Sequence, residues 1–239
     1  GAVVVNQSGQ MEPDPNAPPF NPLPPVVWLL ALPLIGVELA IQLQSAGLAG
    51  TAAELPWRQA LSRDLMLLPE LLRLQWETGG HPQDQLYRLF SYPLIHASFT
   101  DALFGVVLFV ALGKGVGEVL HWAAMITVVL ASVLAGALAY GLLVPGLKTP
   151  LVGAYPADYG LIGAMTCLIF LNLAAVGANK YRAFSLIGFL LAVQLIFAVL
   201  FGGNWSWVAE IAGFATGFLL TFLVCPGGFR RALDRIRQR

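Results

Sequence analysis

Residues 123–144 read AAMITVVLASVLAGALAYGLLV, an unbroken run without a charged side chain. It has the roughly 20 residues an α-helix needs to cross the hydrocarbon core of a bilayer. A membrane-spanning strand would need only about 10 residues and would alternate polar with apolar side chains; this run does not alternate. Five further apolar stretches surround it, at 26–43, 102–120, 159–175, 183–202 and 208–224. Together they predict an all-α membrane protein, a bundle of six transmembrane helices. Gly213 and Gly217 are spaced as small-xxx-small, a pattern that lets helix backbones approach closely in lipid.

The composition excludes a soluble globule. Of 239 residues, 57% are hydrophobic and only 11% charged, against roughly 25% charged in a soluble domain. Mean hydropathy is +0.73. The net charge is zero, so there is no basic footprint for nucleic acid. Cys167 and Cys225 lie in apolar stretches and read as packing residues. His81, His96 and His121 form neither an HxxxH nor an HExxH pattern. No metal and no cofactor is expected.

The first 25 residues are polar, Pro-rich and free of Lys and Arg. NAPPFNPLPP (16–25) predicts a flexible, extended segment. Met11 is a candidate natural start. No signal peptide is expected before the first apolar run, because a basic n-region is missing. The membrane domain is expected over 26–224, followed by a basic cytoplasmic tail over 225–239. Each tail charge near an anionic leaflet contributes about 1 kcal/mol. With six spans both termini share one side. Lys114, Lys180, Arg182, Arg230, Arg231, Arg235, Arg237 and Arg239 fall on that side, whereas Arg58, Arg63, Arg73, Arg88 and Lys148 fall on the other. The positive-inside rule then predicts cytoplasmic termini in a bacterial inner membrane.

The connection between the first two spans, 44–101, is long and not simply polar. Trp57, Leu61, Leu65, Leu68 and Leu72 recur at helical spacing with Arg58, Arg63 and Asp64 between them. This predicts an amphipathic helix in the interface plane, broken or kinked at Pro69. Leu86, Tyr87, Leu89 and Phe90 mark a second short element. The first loop is therefore read as long and half-submerged.

Residues 86–118, LYRLFSYPLIHASFTDALFGVVLFVALGKGVGE, resemble the rhomboid family of intramembrane serine proteases. Tyr87-Arg88 sits at the family's aromatic-Arg position, His96 matches its first loop histidine, and Gly117-Glu118 resembles its helix end. GAYPADYGLIGA (153–164) resembles the nucleophile segment G-A-S-G-x-x-[YF]-G-x-x-G-A. VAEIAGFATG (208–217) resembles the A-H-x-x-G-x-x-x-G of the last core helix. Three segments in order, together with six spans, imply a rhomboid-like bundle over 26–224. The resemblance also implies a lateral gate between the second and fifth spans.

The departures fall on the chemistry. Tyr155 stands at the serine position and Pro156 replaces the following glycine. Glu210 stands at the catalytic histidine's position, Asp101 at the second loop-side histidine's and Gly105 at the asparagine's. Acyl transfer needs an aliphatic hydroxyl that a neutral imidazole can deprotonate. A phenol without an imidazole does not supply it, and an acyl-tyrosine would be short-lived. An ionised Asp101 would repel a developing oxyanion, Gly105 offers no donor, and Pro156 lacks an N–H. No catalytic residue is predicted; the reading is a pseudoprotease.

Carboxylates within a bilayer are expensive and are candidates for function. Asp101 follows Ser98 at capping-box spacing. Asp158 is placed for the helix dipole in the first turn of the fourth span. Glu210 is expected to hydrogen-bond Tyr155 across the cavity. Glu38 is expected to pair with an Arg or His or to lie near the span's exit end. His96 reads as a hydrogen-bonded packing residue, and Trp205 and Trp207 fit an interfacial aromatic belt. Tyr155, Glu210, Asp101, Asp158, His96, Trp205 and Trp207 are the candidate binding residues. The expected partners are lipid and the transmembrane segments of other proteins, with a place in a larger membrane complex as one form. Two other readings compete. One is a protease using the carboxylates of Asp101, Asp158 and Glu210. The other is a small transporter or proton path along the intramembrane acids.

Overall fold

A computed structural model of the chain describes residues 3–5, 11–13, 22–50, 56–79, 81, 85–144, 149–201 and 205–225. Two short strands, β1 (Val3–Val5) and β2 (Met11–Pro13), pair antiparallel within the N-terminal segment. The helices follow in order: α1 (Pro25–Ser45), α2 (Trp57–Leu65), α3 (Pro69–Glu77), α4 (Arg88–Ser91), α5 (Phe99–Gly117), α6 (Trp122–Leu143), α7 (Tyr155–Ala175), α8 (Ser185–Phe201) and α9 (Ser206–Val224). Single 3₁₀ turns at Tyr92–Leu94 and Lys180–Phe184 lead into α5 and α8.

Five of these helices, α1, α5, α6, α7 and α9, are long and apolar enough to cross a membrane. The remaining predicted span, 183–202, corresponds to α8, of which 17 residues are described. All but Cys225 of the expected basic tail, 225–239, and residues 14–21 of the Pro-rich segment lie outside the described residues.

The predicted amphipathic helix forms as two pieces. α2 ends at Leu65, and α3 begins with Pro69 in its first turn. Leu68, immediately before the proline, is extended at φ −114°, ψ 101°, because the proline ring disfavours the helical region for its predecessor.

The C-terminal carbonyls of α2 have no helical partners of their own. α4 and the residue before it satisfy the last three and that of the C-cap, Met66. Arg88 Nη1 donates to the carbonyls of Arg63 (2.7 Å) and Met66 (2.9 Å). Tyr87 Oη donates to Asp64 O at 2.7 Å and Ser91 Oγ to Leu65 O at 3.0 Å. Arg88 Nε also donates to Gln85 Oε1, and its guanidinium lies over the Tyr87 ring at 5.4 Å. The aromatic-Arg pair thus serves as a helix cap. Leu67 and Leu151 exchange backbone hydrogen bonds, tying this region to the segment before α7.

α7 is the central helix and the most buried of the five. Its closest neighbour is α9, and glycines set their separation. A Cβ on Gly217 would strike the Gly160 carbonyl, one on Gly213 the Pro156 carbonyl, and one on Gly163 the Phe214 carbonyl. Gly136 of α6 admits the Pro156 ring in the same way. Ser132 Oγ donates to Gly213 O at 3.2 Å, adding a polar tie between α6 and α9. Gly213 and Gly217, read from the sequence as packing residues, are among those that touch, with Gly136, Gly160 and Gly163 beside them.

Candidate functional site

The site is built where the N-termini of α5 and α7 meet the first turn of α9. Ser98 is the N-cap of α5; its Oγ accepts the Asp101 N–H at 3.1 Å. Asp101 Oδ2 reaches back to the N–H of Ala97 at 3.1 Å, one residue before the cap. The capping arrangement expected at Ser98–Asp101 is present, shifted by one residue on the return bond. It leaves Asp101 Oδ1 for a second task.

That oxygen accepts the Tyr155 hydroxyl hydrogen at 2.8 Å. A phenol has one O–H, so this bond replaces the donation to Glu210 that the sequence suggested. Tyr155 opens α7 with Pro156 beside it. The missing proline N–H is tolerated there because first-turn N–H groups have no helical acceptor. Tyr155 remains close enough to Asp158 and Glu210 for their charges to act on it.

His96 is buried beneath. Its Nε2 accepts the Ala154 N–H at 3.3 Å, which puts the neutral ring's hydrogen on Nδ1, and Nδ1 has no hydrogen-bond partner. Gly153, at φ +95°, donates its N–H to the carbonyls of Tyr92 and Ile95. The rings of Tyr155 and His96 flank it, at 3.3 and 3.6 Å from where a Cβ would stand.

Asp158 lies in the first turn of α7, as the dipole reading requires, yet its side chain is wholly buried. Neither carboxylate oxygen has a hydrogen-bond partner. Gly105 makes its room: a Cβ there would stand 3.1 Å from His96 Nε2 and 3.9 Å from Asp158 Oδ2. The polar group in this slot therefore comes from α7 instead of α5. Glu210, 5% exposed, accepts from Ser206 Oγ at 3.2 Å and is close enough to Asp158 for their charges to interact. Trp205 and Trp207 are exposed at the same end of α9, their rings 6.0 Å apart. Among the described residues, no three His, Cys, Asp or Glu side chains are grouped to hold a metal ion.

Residues 83–227, more than half the chain, match the family model described as the Rhomboid domain. The chain belongs to the rhomboid family. No curated protein matches it. In this rhomboid, Tyr155 and Asp101 are joined to each other, and Glu210 is joined to its own helix through Ser206.

Glu38 of this rhomboid has the partner the sequence left open. Arg58 Nη2 meets its Oε1 at 2.6 Å, and Gln42 Nε2 donates to the same oxygen at 2.7 Å. Arg58 Nη1 also donates to the His96 carbonyl at 2.8 Å. One guanidinium thus ties α1, α2 and the approach to α5. In the sequence Arg58 stands out only as a loop cation on the polar side of the amphipathic stretch. The available signal was a lone carboxylate twelve residues into a span, which calls for a cation on whatever packs beside it.

Burial lowers the His96 pKa below its usual 6.5; Asp101 and Glu38 pull it upward less strongly, and Arg58 downward. The unfolded chain therefore takes up this proton at higher pH than the folded one. The His96 contribution to stability is intact above about pH 6.5 and is lost as pH falls through the lowered value. Thermal unfolding between pH 7 and 5 should show this decline, with a shallower slope in His96→Gln. An identical slope in the variant would contradict a buried neutral His96.

Proposed function

We propose that this chain is a catalytically inactive rhomboid that binds transmembrane segments of other membrane proteins, as a scaffold, an escort or a subunit of a membrane complex. The observation that carries the reading is the Tyr155–Asp101 hydrogen bond. The group at the nucleophile position donates its only hydrogen to an acid, and the group at the base position is itself an acid, Glu210. His96, the imidazole next to Gly153, has Nε2 engaged by Ala154. No pair here performs the deprotonation that acyl transfer needs.

The binding half of the reading rests on the surface that the fold retains. Among the described residues, α8 is anchored by Ile187, which packs with Tyr159 and Ile162 of α7, while Leu186, Phe189 and Ile196 face outward. Phe104 of α5 is similarly exposed. α8 is taken as the fifth of six crossings, with both termini cytoplasmic in a bacterial inner membrane. α5 and α8 then frame the opening through which a client helix enters.

Photo-crosslinkers at Phe189 and, as control, at Leu142 of α6 test this in native membranes. Discrete adducts with transmembrane segments at Phe189 and not at Leu142 are expected. Lipid adducts alone at both positions would contradict it.

A further inference from the structure

We infer that the Tyr155 site contains a recognition slot for a cationic side chain, lysine or arginine, carried just inside one end of a client transmembrane helix. The inference rests on the proposed binding of transmembrane segments and specifies what is recognised.

Asp158 carries it. A carboxyl group enclosed by a bundle and met by no donor is unfavourable in any protein and more so at membrane depth. Asp158 is fully buried, and neither of its oxygens is hydrogen-bonded. Gly105 backs it from α5: a Cβ there would press on His96 Nε2 at 3.1 Å and come into ordinary contact with Asp158 Oδ2 at 3.9 Å. The surrounding charges have one sign. Asp101 and Glu210 belong to the same site, and the guanidinium that reaches His96, Arg58, is already engaged by Glu38. The acids are spread out; among the described residues none are grouped to share a metal ion. An ammonium or guanidinium group, with several N–H donors, matches spread acceptors better than a bare ion does.

The depth also fits. Asp158 is the fourth residue of α7, about 4.5 Å along the axis from its start at 1.5 Å per residue. A client residue at that level lies near the end of its span. There the bilayer tolerates Lys and Arg, because their long stems let the charge reach the interface. Tyr155 and Asp101 are the partly exposed members of the group, and the bond between them is what an arriving side chain displaces.

The test uses the full chain in liposomes and synthetic Leu/Ala host helices, with binding read by energy transfer. The hosts differ at one position, the fourth from one end: Lys, Arg, Leu or Glu. The Lys and Arg hosts should bind roughly tenfold more tightly than the Leu host, the scale of one charge-assisted hydrogen bond, and the Glu host more weakly. Asp158→Asn should abolish the difference, and Tyr155→Phe should enlarge it. Equal binding of the Lys and Leu hosts to the unsubstituted protein would overturn the slot and leave helix binding standing. Binding of no host would remove both. The comparison of hosts on the unsubstituted chain decides even if a variant fails to fold.

Discussion

Gly217→Val is expected to destabilise the bundle by at least about 3 kcal/mol, the upper end of ordinary overpacking costs. The added Cβ would stand 2.6 Å from the Gly160 carbonyl carbon and 2.8 Å from its Cα, and nearer still to its oxygen. These are backbone atoms of the central helix, so no rotamer change relieves the collision. α9 would have to withdraw from α7, opening the Gly213–Pro156 and Gly163–Phe214 contacts along the same seam. Those contacts are what hold helices together in lipid, where apolar burial supplies little drive. Gly188→Val is the control, since nothing lies within 4 Å of a Cβ there. Unfolding in mixed micelles should separate the two variants. Equal stability would mean that α7 and α9 are not in close contact.

Arg58→Ala is expected to cost about 1.5–3 kcal/mol, the scale of a charge-assisted hydrogen bond, since 22% of the Arg58 side chain is exposed and the pair is not fully buried. Glu38, 8% exposed, would keep only Gln42 as a donor, and the His96 carbonyl would lose its guanidinium contact. Proteolysis around residues 56–66 should accelerate as α2 detaches from α1. Adding Glu38→Gln should recover most of the loss, because a neutral amide does not require a counter-charge. A cost below about 0.5 kcal/mol would class the pair with exposed salt bridges, which contribute little.

Much of the architecture is written in the sequence at the level of runs. Long apolar runs with at most two charged residues mark α1, α5, α6, α7 and α9 as spans, and Pro69 marks the break between α2 and α3. The run at 183–202 reads the same way as the others, and its described residues form α8, Ser185–Phe201. Gly213 and Gly217 announce a close seam, because a missing side chain within a span has few other uses. The candidate site is less legible. Asp158 has the signature of a dipole-favoured first-turn acid, and nothing local tells whether its side chain turns inward. That depends on Gly105, 53 positions earlier in the chain, leaving space on a neighbouring helix. Tyr155 and Asp101 are likewise distant in sequence, so the bond between them is a product of tertiary packing. Glu210, the more obvious partner by position, bonds locally to Ser206.

The most direct test is exposure of the purified chain, reconstituted in liposomes, to a fluorophosphonate probe and to a model transmembrane substrate. No covalent label and an intact substrate are expected, with the same result in Tyr155→Phe and Glu210→Gln. Cleavage at a defined bond that disappears in either variant would contradict an inactive site.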